Sequence, residues 1–138
     1  MASHAIVHAP RVNQVTGIIV TSALKVHSKL GPGLLESAYE ACMIYELRKQ
    51  GLKALSQVAL PVVYDGEIID LAYRIDLLVE DLVIVELKCV ECINPVHQAQ
   101  LLSYMRLSGK NVGLLINFHV AHLRNGIKRV VDGRNWEK

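Results

Sequence analysis

Arg74-Ile75-Asp76-Leu77-Leu78-Val79-Glu80-Asp81-Leu82-Val83-Ile84-Val85-Glu86-Leu87-Lys88 is the most informative stretch of the chain. The unbroken run Leu82-Val83-Ile84-Val85 predicts a strand buried on both faces, hence central in a sheet, and that strand ends in charge. Side chains alternate along a strand, so Glu86 and Lys88 share one face while Leu87 points to the other. Asp76 lies on the preceding strand, near enough across a short turn for its carboxylate to converge on the same place. Two carboxylates with a backbone carbonyl and water suit a hard divalent cation, Mg²⁺ or Mn²⁺. A neighbouring lysine then orients or deprotonates an attacking water, or stabilises charge developing on a phosphate. The bland alternative is a solvated Glu86–Lys88 pair worth under about 1 kcal/mol. The apolar run before the pair speaks against it.

Convergence sets a condition on the turn. If Glu80-Asp81 formed a two-residue connection, Val79 would pair with Leu82 and Asp76 with Val85, which puts Asp76 on the face opposite Glu86. An odd-numbered loop or a bulge at residues 80–82 is therefore expected.

Working outward, residues 54–63 and 67–79 read as strands joined by a hairpin turn at Asp65-Gly66. Before them, the apolar interval through Val15, Ile18, Ile19, Ser22, Ala23 and Val26 is helical, and Gly31-Pro32-Gly33 ends that helix. Residues 34–49 form a second helix closed by Gly51. After the central strand, Asn94-Pro95 starts a helix with asparagine as cap and proline in the first position, and Gly109 stops it. Residues 112–118 form another buried strand, and Asn125-Gly126 marks a tight hairpin with a return strand at 127–131. Residues 1–12 lack periodicity and read as a mobile lead-in, 13–131 as one domain, and 132–138, with Arg134, Trp136 and Lys138, as a polar tail.

The 138 residues, 51% of them hydrophobic, suffice for one domain with its own core. Apolar runs are far shorter than the roughly 20 residues of a membrane span, and the first residues do not resemble a secretion signal. A cytoplasmic protein without membrane attachment is expected. Cys42, Cys89 and Cys92 cannot all pair within one chain and read as thiols. Cys89-Val90-Glu91-Cys92 has half-site spacing for zinc or redox chemistry, but no second pair follows and the element order is not that of a redox fold. The net charge of +2 is too small to imply a nucleic-acid partner by itself. Arg124, Lys128 and Arg129 do crowd the last hairpin, where they either grip a phosphate backbone or form a solvated face.

Asp76 followed by Glu86-Leu87-Lys88 on the next strand resembles the core motif of the PD-(D/E)XK nuclease superfamily, whose αβββαβ order matches the elements read above. Gly33-Leu34-Leu35-Glu36-Ser37-Ala38-Tyr39 is similar to the signature that names the GxxExxY proteins, and His97-Gln98-Ala99-Gln100-Leu101-Leu102-Ser103-Tyr104 resembles their next helix. The likeness covers residues 15–131. It implies an α/β, restriction-endonuclease-like fold, a central mixed sheet flanked by helices. It also implies metal-dependent hydrolysis of phosphodiester bonds, with DNA the expected substrate. Asp76 and Glu86 resemble the metal ligands, joined by the Leu87 carbonyl, and Lys88 resembles the catalytic lysine. Glu36 resembles a first-helix acid that holds a metal-bound water or a second metal, and Gln100 a helix glutamine that contacts the site. Tyr39 and Glu40 continue the polar face begun by Glu36. His97, Gln100 and Tyr104 share a helical stripe, with Ala99 and Leu102 expected to face the sheet. A domain this small encloses little nucleic acid, so a homo-oligomer would complete the groove. The competing functional reading is a non-catalytic nucleic-acid-binding or assembly module on the same fold; Asp76, Glu86 and Lys88 are all present, which favours catalysis.

Overall fold

The computed structural model describes the backbone of residues 4–133 and side chains from residue 11 onward. Its elements run α1 (His4–Leu30), α2 (Glu36–Lys49), β1 (Ala54–Ala59), β2 (Val62–Tyr64), β3 (Glu67–Ile69), β4 (Arg74–Val79), β5 (Val83–Lys88), α3 (Pro95–Ser108), β6 (Val112–Asn117) and β7 (Ile127–Val131), with a 3-10 turn at Leu123–Gly126. The main sheet has the order β1-β4-β5-β6-β7. Only the β5–β6 pair is parallel. The buried Val83-Ile84-Val85 run thus supplies the middle strand, as its composition requires, while Leu82, expected to open that strand, is half-buried in the turn before it. This is the expected α/β architecture, a restriction-endonuclease-like core of α2, β1, β4, β5, α3 and β6. No described helix is long and apolar enough to cross a membrane.

Two helical layers cover the sheet. On one face Val83, Val85 and Leu87 pack with Val15, Ile19 and Ala23 of α1 and Tyr39, Met43 and Leu47 of α2. On the other, Ile84 and Leu115 meet Leu101, Tyr104 and Met105 of α3. That α3 stripe differs from the expected one, for Ala99 is exposed and Leu102 half-buried. The close approach is made at Gly113, where a Cβ would stand 2.8 Å from Met105 Sδ and 2.9 Å from Leu101 Cδ1, so Leu101 and Met105 are the residues turned inward. Asn94 caps α3 as predicted: its side chain accepts from the Val96 and His97 amides, and Gly109 ends the helix at φ 74°.

Three segments depart from the sequence reading. Helix α1 begins at His4, so residues 4–12 are helical rather than an irregular lead-in. Val12 is buried and leads the stripe through Val15, Ile19, Ala23 and Val26, which extends the helical periodicity one turn further back. The long strands on either side of Asp65-Gly66 are interrupted, and β2–β3 is a separate two-stranded hairpin. Pro61 lacks the amide a ladder needs, and the Asp70 carboxylate accepts the Ala72 amide in a local turn at 2.9 Å. Finally, Asn125-Gly126 does not form a tight hairpin. Ile116 pairs with Ile127, and residues 117–126 make a longer connection. Gly126 is needed there for close approach, since a Cβ would lie 2.3 Å from the Asn117 carbonyl oxygen. The polar tail from residue 134, with Arg134, Trp136 and Lys138, lies outside the described residues.

Candidate active site

The turn between β4 and β5 meets the condition set by its sequence. Val79 pairs with Val83 and Leu77 with Val85, leaving Glu80, Asp81 and Leu82 as an odd-numbered loop. Glu80 and Asp81 both adopt φ 54°. Their side chains are tied down: Glu80 pairs with Arg11 and accepts the Lys53 amide, and Asp81 pairs with Lys110 at 2.9 Å. Continued by one step, this register puts Asp76 across from Glu86.

At that step the ladder changes character. The Asp76 amide donates to Glu86 Oε1 at 3.3 Å, and the Leu87 amide donates to Asp76 Oδ2 at 2.8 Å. Side-chain carboxylates thus stand where backbone carbonyls would otherwise accept. The sheet alternation also breaks here. In β4, Leu77 and Val79 belong to the α1/α2 layer, whereas Ile75, two residues earlier, belongs to the α3 layer. Strand β1 does the same, with Ala54 in the first layer and Val58 in the second, where Leu60 follows just past the strand's end. Asp76 sits at this crossing point, between the two helical layers.

Glu86 is 4% exposed. Burial, then the charge of Asp76, pushes its carboxyl up to about 8. A buried acid beside a second acid holds a proton or a cation because separation of the like charges is blocked and water is excluded. Among the described residues no three His, Cys, Asp or Glu side chains gather closely enough to enclose a metal. A cation at Asp76 and Glu86 would complete its shell with main-chain oxygen and water, the donor set that hard divalent ions take. The Leu87 side chain points into the α1/α2 layer, and its main chain borders the Asp76 carboxylate. In that sense the residues fit a metal.

Lys88 follows on the α3 side. Its ammonium donates to Gln100 Oε1 at 3.3 Å, and Gln100 Nε2 donates to the Tyr104 hydroxyl at 3.2 Å. Burial and then the charge of Glu86 raise the Tyr104 hydroxyl above its ordinary range, so the chain Lys88–Gln100–Tyr104 lies within reach of the carboxylate field. On the α2 side, Glu40 accepts from Gln57 Nε2 at 2.7 Å. Burial first, then the charges of Asp76 and Glu36 against the relief from Gln57, raises its carboxyl. Glu36 opens α2 and lines a cleft of about 470 Å³ with Gly33, Leu34, Leu35, Cys89 and His119. Glu36, Glu40, Asp76, Glu86, Lys88, Gln100 and Tyr104 therefore form one neighbourhood.

Other candidates fall elsewhere. Tyr39 is fully buried, stacked on Phe118 with ring centroids 4.3 Å apart. Its hydroxyl donates to the Gly31 carbonyl at 2.6 Å and accepts from the Leu34 amide at 3.1 Å. It fastens the turn that presents Glu36 rather than adding to the polar face. The His97 ring accepts the Asn94 amide and completes the capping box. Lys128 and Arg129 diverge, because they pair with Leu115 and Leu114, which face opposite layers. Arg129 donates to Asn13 Oδ1 of α1 at 2.9 Å, and with Arg124 it lines a groove beside that helix. The expected basic cluster is thereby split between two faces. The three cysteines are free, Cys92 exposed and the other two half-buried.

Two residues of this neighbourhood escaped the sequence reading. Gln57 donates to Glu40 and, at 3.4 Å, to Asp76 Oδ1. As one polar residue in a half-exposed strand it carried no signal. Asn117 is buried, accepts the Val90 amide and donates to the Val90 carbonyl, prolonging the β5–β6 pairing past Lys88. A polar residue closing the apolar run Val112-Gly113-Leu114-Leu115-Ile116 was the available sign.

Comparison with curated proteins and with solved structures returned no significant match. A family model described as the PD-(D/E)XK nuclease superfamily matches residues 13–130, a span that contains every element of the sheet but the last residue of β7, and the chain belongs to that superfamily.

Proposed function

We propose that this protein is a Mg²⁺- or Mn²⁺-dependent phosphodiesterase that cuts nucleic acid, with DNA as its substrate. The observation that carries the reading is the pairing of Asp76 with buried Glu86 at the interrupted step of the β4–β5 ladder, with Lys88 two residues on. A bound divalent cation would supply Lewis-acid polarisation of the phosphoryl oxygen. Asp76 and Glu86 would hold it, with the Leu87 carbonyl, and Glu36 would act through a bound water. Lys88, steadied by Gln100, places a positive charge where it can orient the attacking water and offset charge developing on the phosphate. Tyr104 and Glu40 support this arrangement from the α3 and α2 sides.

Within the superfamily, the Gly33-to-Tyr39 segment supports a GxxExxY-type member, since its tyrosine and glycine build the turn that delivers Glu36. Arg124 and Arg129, on one face, are candidates for gripping a phosphate backbone, and Lys128 acts from the other. A second copy extending the groove, in a cytoplasmic setting, belongs to the same proposal.

The test is cleavage of linear, circular and branched DNA and of RNA with Mg²⁺ or Mn²⁺. Lys88→Ala should lower the rate roughly a hundredfold to ten-thousandfold with the fold retained by circular dichroism. If no substrate is cut, or the variant cuts equally well, the enzyme reading fails and a binding module on this fold takes its place.

A further inference from the structure

We infer that Gln57 is a positioning residue for the active site: its side-chain amide bridges Glu40 of α2 to Asp76 of β4 and fixes the carboxylate on which cation binding depends. The inference rests on the phosphodiesterase reading above and adds to it a residue outside the superfamily motif.

Three observations support it. First, Gln57 has φ 52° in the middle of a strand, although it is paired on both sides through Ser56↔Leu77 and Val58↔Ile75. An L-residue with a long side chain avoids that region, where its Cβ crowds the backbone, and retained strain of this kind gathers at functional sites. Second, the strained residue stands across from Asp76, and β1 and β4 exchange layers there together. The left-handed conformation at Gln57 is what reverses the alternation in β1, so Ala54 and Val58, of like parity, face opposite layers. Third, the chemistry of the side chain suits the place. A primary amide has two N–H groups, and Gln57 Nε2 spends one on Glu40 Oε1 at 2.7 Å and the other on Asp76 Oδ1 at a longer 3.4 Å. Both neighbours are acids. A neutral double donor joins them without adding charge, whereas a lysine would compete with a cation for the same oxygens and a glutamate would repel both.

The test uses Gln57→Met, which keeps the length but cannot donate, and Gln57→Gly, which also relieves the backbone. Mn²⁺ binding to the full chain is followed by calorimetry, with thermal melting and cleavage alongside. Both variants should bind Mn²⁺ about tenfold more weakly and need correspondingly more of it for half-maximal cleavage, with kcat at saturating Mn²⁺ little changed. The Gly variant should melt no lower than wild type, a combination that a merely structural role would not give. If wild type binds and cuts while both variants match it, the inference is overturned alone. If wild type binds no Mn²⁺, the phosphodiesterase reading falls and takes this one with it. A Gly variant that melts well below wild type makes Gln57 a packing residue and overturns the inference too.

Discussion

Glu86 is the residue whose environment has the largest consequence. Its carboxyl ordinarily titrates near 4.5 and is pushed up to about 8 by burial and by Asp76. Between those two values the folded chain holds a proton that the unfolded chain has released. Stability therefore falls as pH rises through that window and is flat beyond it. Burial-raised Glu40 contributes with the same sign. Glu86→Gln removes the main titration, so the variant should be more stable than wild type at about pH 9, by a few kcal/mol at most, and about equal near pH 5. Urea unfolding at the two pH values measures this; a variant with the wild-type slope would sink the argument. A divalent cation binds the ionised form, so saturating Mg²⁺ should restore wild-type stability at the alkaline end.

At the scale of elements, the connection between α1 and α2 does its work through Tyr39. The hydroxyl serves Gly31 and Leu34 at once, which holds the backbone through Gly33, at φ 105°, and brings Glu36 to the cleft. Tyr39→Phe keeps the stacking on Phe118 and strands both backbone partners. It should cost about 1–3 kcal/mol by urea unfolding, and no loss at all would mean that water replaces the hydroxyl without penalty. Tyr39 also shows where the sequence was opaque. Its spacing from Glu36 suggested a shared polar face, but Tyr39 and Glu40 lie about 100° apart around the helix, so one can turn to the core while the other stays beside the cleft. The features that were legible depend on local rules: Asn94-Pro95 and Gly109 as helix ends, the apolar run as the central strand, and the odd loop at 80–82 forced by the need for Asp76 to meet Glu86. What was not legible depends on tertiary partners. Nothing local marks Gln57 for a left-handed conformation, and Gly126 reads as a turn residue although it is there because Asn117 leaves no room for a Cβ. The split strands were half visible, since Pro61 was in view but its effect hinges on which edge its missing amide would face.

Across the whole molecule, the active-site candidates come from both helical layers and from the middle of the sheet. Glu36 and Glu40 approach from α2 and Gln100 and Tyr104 from α3, and they meet where β1 and β4 change layers. The Lys88–Gln100 contact ties the site to the α3 layer and the Glu40–Gln57 contact ties it to the α2 layer, so a change in either helix can be felt at the carboxylates through these side chains.

The interrupted step of the β4–β5 ladder also gives the molecule an internal clock that can be read by hydrogen exchange. Elsewhere in the centre of the sheet an amide proton is held by a backbone carbonyl, whose grip does not depend on solution conditions short of unfolding. The amides of Asp76 and Leu87 are held by carboxylates, and those acceptors change with any cation that claims them. Their exchange rates should shift when Mg²⁺ is added, while those of Val85 and Leu114, in the same sheet, stay as they were. Deuterium uptake resolved to single residues makes the comparison, and parallel responses at all four positions would show that the step opens only with the sheet as a whole.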